Sequence, residues 1–390
     1  MSSSLFEVFI VFFRLGLTSF GGPTAHIGFF HDEFVKRRAW VDEASYADLV
    51  ALCQFLPGPA SSQVGMALGL SRAGQLGAIA AWLGFTLPSA LILVLFAFGV
   101  NKFQLGNGWL HGLKIVAVAV VAQAVWAMAV KLCPDKKRAT IAVMATVCSL
   151  ISSSALIQIF VILVGGIGGI LFLRKSQELP HTPIKARVTR LNGGMLLGAF
   201  ALLLVILPVV AKSSNYHALK LFDSFFRAGS LVFGGGHVVL PLLQAELVPA
   251  GWVSQELFMA GYGASQGIPG PLFSFAAYLG AVSPESPSGW LGAIVCLLAV
   301  FLPSYLLIVG ILPFWERLRG YSGARNAMLG INAAVVGLLI AAFYNPVWTS
   351  AIYAGKDFSF ASVCFLLLVF WKIPSWVVVF LSALIGWTLY

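Results

Sequence analysis

Gln54-Phe55-Leu56-Pro57-Gly58-Pro59 returns 212 positions later as Gln266-Gly267-Ile268-Pro269-Gly270-Pro271. Both copies interrupt long apolar stretches. Proline removes a backbone donor and clashes with the preceding turn, while glycine accepts a positive φ. A Pro-Gly-Pro step therefore ends one helix and lets another begin. The flanking sequence repeats with it. Upstream, Phe12-Phe13-Arg14-Leu15-Gly16 matches Phe225-Phe226-Arg227-Ala228-Gly229, and Phe20-Gly21-Gly22-Pro23 matches Phe233-Gly234-Gly235-Gly236, both offset by 213. Trp40-Val41 matches Trp252-Val253 at 212, and Leu87-Pro88-Ser89 matches Leu302-Pro303-Ser304 at 215. Order and spacing hold together, so the chain reads as two related halves, 1–173 and 219–390, joined by a segment at 174–218.

Composition fixes the solvent. Of 390 residues, 59% are hydrophobic and 10% charged, against about 25% charged in soluble domains. Mean hydropathy is +0.92. Lipid is the natural surrounding, and in lipid only helices or closed barrels satisfy their backbone. Unbroken apolar runs such as 79–100 and 115–130 are unlike the short alternating segments of barrels. The expected fold is an all-α polytopic membrane protein with broken or re-entrant helices, because several apolar segments are too short to cross a bilayer alone. The net charge of +10 fits basic cytoplasmic loops better than nucleic-acid binding, and no nucleic-acid partner is expected. Cys53, Cys133, Cys148, Cys296 and Cys364 are scattered through apolar segments without metal spacing. The N-terminus lacks a basic leader, so the first apolar segment is expected to stay as a span.

The joining segment governs how the halves sit. Residues 174–190 hold Arg174, Lys175, Lys185, Arg187 and Arg190 against Glu178, which reads as a cytoplasmic anchor, and an unpaired apolar helix follows at 191–211. One extra crossing flips the second half relative to the first. The loop charges alternate accordingly. Lys36, Arg37 and Arg38 correspond to 247–254, which has no Lys or Arg, and Lys131, Lys136, Lys137 and Arg138 correspond to 345–357, which has Lys356. Conversely, 101–111 carries Lys102 where 315–325 carries Arg317, Arg319 and Arg325. The positive-inside rule then gives two inverted-topology repeats, with the N-terminus cytoplasmic and the C-terminus periplasmic. Inverted repeats with broken helices are the build of alternating-access transporters.

The breaks are also the candidate site. Helices starting after Pro23, Gly236, Pro59 and Pro271 present free N–H groups, which attract anions. The candidate contacts are Gly21, Gly22, Pro23 and Thr24; Gly58, Pro59 and Ala60; Gly234, Gly235, Gly236 and His237; and Gly270, Pro271 and Leu272. The alternative is that the breaks merely shape packing. Gln54 and Gln266 precede the Pro-Gly-Pro steps and offer amides to a ligand or to the broken backbone. Arg14 and Arg227 lie in equivalent Phe-rich runs, and an intramembrane Arg suggests a binding or gating role for an oxyanion. The alternative is snorkelling, or pairing with an acid such as Glu7 or Asp223. His26, His237, Glu33 and Glu246 are candidates for proton coupling, set against structural roles and loop salt bridges. Gly165 to Gly169 contains a GxxxG spacing suited to close helix contact; a homodimer is compatible with it but not established by it. No nucleotide loop, HExxH or catalytic cluster is present, so neither a cofactor nor an enzymatic activity is expected.

Phe-Gly-Gly-Pro after an Arg-bearing span, Trp-Val, then Gln-x-x-Pro-Gly-Pro, all repeated, resemble the chromate ion transporter family in its long two-domain form. The resemblance spans essentially the whole chain. It implies a bacterial inner-membrane protein that exports chromate and confers resistance, driven by the membrane potential or the proton gradient, with sulfate as a competing isosteric dianion. The family's motif positions fall here on Arg14, Phe20, Gly21, Gly22, Pro23, Trp40, Gln54, Pro57, Gly58, Pro59 and their counterparts. Gly236 stands where the first half has Pro23, which implies unequal half-sites. From the residues alone the substrate is a tetrahedral oxyanion, with chromate, sulfate, molybdate and phosphate all open.

Overall fold

A computed structural model describes residues 5–102, 108–152, 155–173, 188–233, 235–318 and 321–390. Most of the basic stretch, 174–187, lies outside the described residues. Among the described residues every regular element is a helix. In the first half these are α1 (Leu5–Thr18), α2 (Gly22–His31), α3 (Glu43–Phe55), α4 (Ala60–Lys102), α5 (Gly108–Leu132), α6 (Lys136–Ile151) and α7 (Ala155–Phe172). The connecting helix α8 (Arg190–Ser213) follows. The second half contains α9 (His217–Leu231), α10 (Val239–Leu247), α11 (Gln255–Ser265), α12 (Phe275–Val282) and α13 (Gly289–Ile311). It continues with the one-turn α14 (Trp315–Leu318), α15 (Ser322–Ala342), α16 (Gly355–Val369) and α17 (Ser375–Leu389). Side-chain oxygens start several of these helices. Asp42 accepts from the Ser45 N–H at 2.9 Å, and Asp135 accepts from the Arg138 N–H at 3.0 Å.

Five helical stretches among the described residues are long and apolar enough to cross a membrane. One of them, α4, is bent back on itself. Ala73 and Gly74 leave helical geometry, and Gly69 packs so closely on Gly77 that a Cβ on either would sit 2.2 Å from the other's carbonyl oxygen. In a straight helix those residues stand about 12 Å apart. The second half repeats the device with α12 and α13, where a Cβ on Gly280 or Gly292 would sit 2.1 Å from the other's carbonyl oxygen. Glycine alone permits backbones this close. The apolar segment at 347–355, by contrast, forms no helix of its own: it runs from the end of a short π-helix (Phe343–Trp348) through a turn at 349–351 to the start of α16.

The halves are interlocked. Helix α5 runs antiparallel to α17, with Gly108 against Gly386 and Gly112 against Ser382. Its counterpart α15 runs antiparallel to α7, with Gly165 and Gly169 against Gly330. Each half thus supplies one long helix to the terminal hairpin of the other. The GxxxG face of α7 is consumed here, inside one chain, and is not available to a second copy. Helix α8 packs on α9 and α13 but turns Leu202, Val205 and Val209 outward at 59%, 69% and 67% exposure. Such a face is stable in lipid and costly in water.

Candidate functional site

The two Pro-Gly-Pro steps are stitched to the opposite half. The Gly58 N–H donates to the Val232 carbonyl at 2.7 Å, and the Gly270 N–H donates to the Ser19 carbonyl at 2.9 Å. Val232 and Ser19 end the helices that precede the glycine-rich breaks. Each break of one kind is therefore bonded to the break of the other kind across the molecule. Gly58 and Gly270 have φ of +114° and +103°, a region that penalises any Cβ. Space forbids one as well. A Cβ on Gly58 would lie 2.5 Å from Ser304 Oγ, and one on Gly270 would lie 2.8 Å from Ser89 Oγ. The arrangement is nearly two-fold but not fully so. Ser89 Oγ meets Ser274 Oγ at 2.6 Å, whereas their counterparts Ser304 and Ser62 are buried without a hydrogen-bond partner.

New helices start at all four breaks. Helix α2 starts at Gly22, one residue before Pro23, because proline fits the first helical turn where its missing N–H is not needed. Helix α4 starts at Ala60. Short 3-10 turns start at Gly236 and Leu272 and lead into α10 and α12. These starts surround one cavity of about 800 Å³. The first break contributes Gly21, Gly22 and Pro23 to its wall, and the second contributes Gly58 and Ala60. The third contributes Gly235, Gly236 and His237, and the fourth contributes Gly270 and Leu272. Gln54 and Gln266 line it too. Pro59 and Pro271 are buried behind the wall. Gly234 and the side chain of Thr24 lie outside the described residues.

Apart from His237, the other candidates fall outside the wall. His237 Nδ1 sits 2.7 Å from the Tyr262 hydroxyl, while His26 is buried behind the wall, 3.3 Å from Ser61 Oγ. Glu33 binds Arg37 and Arg38, and Glu7 binds Arg38. Arg14 is exposed on α1 and is not part of the cavity wall. Arg227 is not part of it either. Its guanidinium meets both oxygens of Glu246 at 2.7 and 2.9 Å and Asp223 at 2.9 Å. The expectation that two arginines grip an anion therefore gives way at Arg227 to a clamp between α9 and α10. Arg227→Ala leaves two carboxylates without their cation, a loss of about 3–5 kcal/mol for a buried pair, and somewhat less here because the side chain is 20% exposed. The expected outcome is a sharply reduced monodisperse fraction after detergent extraction, measured by size-exclusion chromatography.

Two cations on the wall escaped the sequence reading. Lys131 ends α5 and Lys372 sits between α16 and α17; both line the cavity. Among the described residues no Asp or Glu does. The signal for Lys131 was masked by its place in a run of topogenic charge. The signal for Lys372 was a lone cation at a proline-bounded break, Trp371-Lys372-Ile373-Pro374.

Comparison with known proteins decides the relationship. The family model described as chromate transporter matches residues 6–170 and again 219–387. The chain belongs to the chromate transporter family. It is 28% identical over 98% of its length to the chromate transport protein of Pseudomonas aeruginosa, covering 92% of that protein. It is 25% identical over 99% of its length to the chromate transport protein of Cupriavidus metallidurans, covering 94% of it. An uncharacterised transporter of Methanocaldococcus jannaschii is 27% identical over 87% of the chain and is covered to 83%. No solved structure matches. As a member of a transporter family with long apolar helices, the protein is a polytopic membrane protein, and the double match of the family model coincides with the two halves seen in the repeat.

Proposed function

We propose that this family member exports chromate across a bacterial inner membrane by alternating access, holding the anion where the four breaks meet. One observation carries the reading: four helix starts, two from each half, open onto a single cavity whose described wall has no carboxylate. Helix starts offer unpaired N–H groups and a partial positive charge to an anion. Gln54, Gln266 and His237 add side-chain donors on the same wall. The relatives named chromate transport proteins support chromate as the substrate. The reciprocal bonds across the halves support a two-fold relation, which the alternating loop charges make an inverted one, with the N-terminus inside and the C-terminus outside. An inside-negative potential favours expelling a dianion by about 2.3 kcal/mol per charge per 100 mV. His237 is the residue this reading gives to proton coupling, because Glu33 and Glu246 are committed to ion pairs and His26 lies behind the wall.

Chromate uptake into inside-out vesicles tests the reading. The expected result is accumulation that needs the gradient, stops when the gradient is collapsed and is competed by excess sulfate. No accumulation in vesicles holding folded protein overturns it.

A further inference from the structure

We propose that Lys131 and Lys372 form the charge pair that selects a tetrahedral dianion in this cavity. The inference rests on the transport reading above and assigns its substrate-binding cations. Four observations carry it. First, Lys131 is on the wall by helical register rather than as a loose end of a loop. Val120, Gln123 with Ala124, Ala127 with Met128, and Lys131 follow one another at spacings of three and four along α5 and all line the cavity, which is one face of a helix.

Second, Lys372 is held in place at a cost. Its φ is +54°, a left-handed conformation that glycine usually takes and that costs an L-residue roughly 1–2 kcal/mol. The Trp371 and Ile373 N–H groups close the end of α16 on Leu366 and Leu367 at 3.1 and 2.9 Å. Ser375 Oγ then donates to the Gln266 carbonyl at 2.8 Å. The tip bearing Lys372 is thus fastened to the fourth break. Strain of this kind concentrates at functional sites.

Third, several other basic side chains are occupied by acids. Arg227 is bound by Glu246 and Asp223, Arg38 by Glu33 and Glu7, and Arg138 by Asp135. Neither Lys131 nor Lys372 has an acidic partner among the described residues. Fourth, the described wall carries no acid to neutralise them. Two positive charges on one wall match two negative ones. A monoanion leaves one ammonium uncompensated, so the pair ranks chromate and sulfate above perchlorate.

The test measures chromate uptake into inside-out vesicles for wild type, Lys131→Gln, Lys372→Gln and the two Lys→Arg variants, with sulfate and perchlorate as inhibitors. Each Lys→Gln change should raise KM about tenfold or more, the loss expected of one hydrogen bond to a charged group. It should also shrink the preference for sulfate over perchlorate, while Lys→Arg keeps both. Lys136→Gln, on the neighbouring first turn of α6, should change neither, which separates a wall charge from general surface potential or topology. Unchanged KM and unchanged anion preference in both Lys→Gln variants overturn the charge pair while chromate transport by the wild type stands. If the wild type moves labelled sulfate but no chromate, and sulfate transport shows the same lysine dependence, the pair stands and the chromate assignment falls.

Discussion

Gly58→Ala and Gly270→Ala are each expected to cut transport by roughly tenfold or more. A Cβ at φ near +100° costs about 1–2 kcal/mol, and crowding a packed site adds about 1–3 kcal/mol. Each 1.4 kcal/mol is about a factor of ten. The clash falls on Ser304 for Gly58 and on Ser89 for Gly270. It displaces the N–H that reaches Val232 or Ser19 and loosens the junction of two breaks at once. Adding Ser304→Gly to Gly58→Ala should recover part of the loss, because it removes the 2.5 Å contact but not the backbone penalty. Gly198→Ala is the control, since a Cβ on that α8 residue meets nothing within 4 Å. Initial rates in vesicles, normalised to folded protein, give the comparison. Equal rates for all four proteins would mean that the stitched breaks do not shape the transport site.

The breaks were legible because proline and glycine act locally. Phe20-Gly21-Gly22-Pro23 and Pro57-Gly58-Pro59 state where a helix stops, whatever surrounds them. What they cannot state is a partner. Nothing in the sequence of α5 names α17, and the pairing emerges only when Gly112 meets Ser382. The same gap explains the GxxxG motif of α7. The spacing says that something packs closely there, and the structure supplies Gly330 of the same chain. The arginines illustrate a different limit. An intramembrane Arg must be compensated, but a substrate and a carboxylate compensate it equally well. Asp223, four residues before Arg227, was the local hint, and Glu246 adds the bidentate contact from α10. Lys372 was hidden because its position depends on a hairpin tip reaching Gln266 from more than a hundred residues away.

The interlocked helices give the second large effect. Gly112→Val and Gly330→Val are expected to prevent stable assembly of the two halves. A Cβ on Gly112 would sit 2.1 Å from the Ser382 carbonyl oxygen, and one on Gly330 would sit 2.0 Å from that of Gly165. Both obstacles are helix backbone, which cannot swing aside as a side chain does. The helices must separate, and the loss runs along the whole α5–α17 or α7–α15 seam. Overpacking costs about 1–3 kcal/mol when side chains can adjust, and more when they cannot. Gly194→Val, facing open space on α8, should be tolerated apart from a small helix-propensity cost. Thermal unfolding in detergent measures the difference. Midpoints for Gly112→Val and Gly330→Val equal to that of Gly194→Val would contradict the proposed packing of one half's long helix on the other half's hairpin.

The proposed seat of the anion is the meeting point of the four breaks. Crystals of the protein soaked in chromate, with anomalous data collected at the chromium edge, locate the metal atom directly. A single strong peak is expected within the cavity, within reach of the helix starts at Gly22, Ala60, Gly236 and Leu272. A peak beside Arg14 or the Arg227–Glu246 pair, with the cavity empty of chromium, would contradict it.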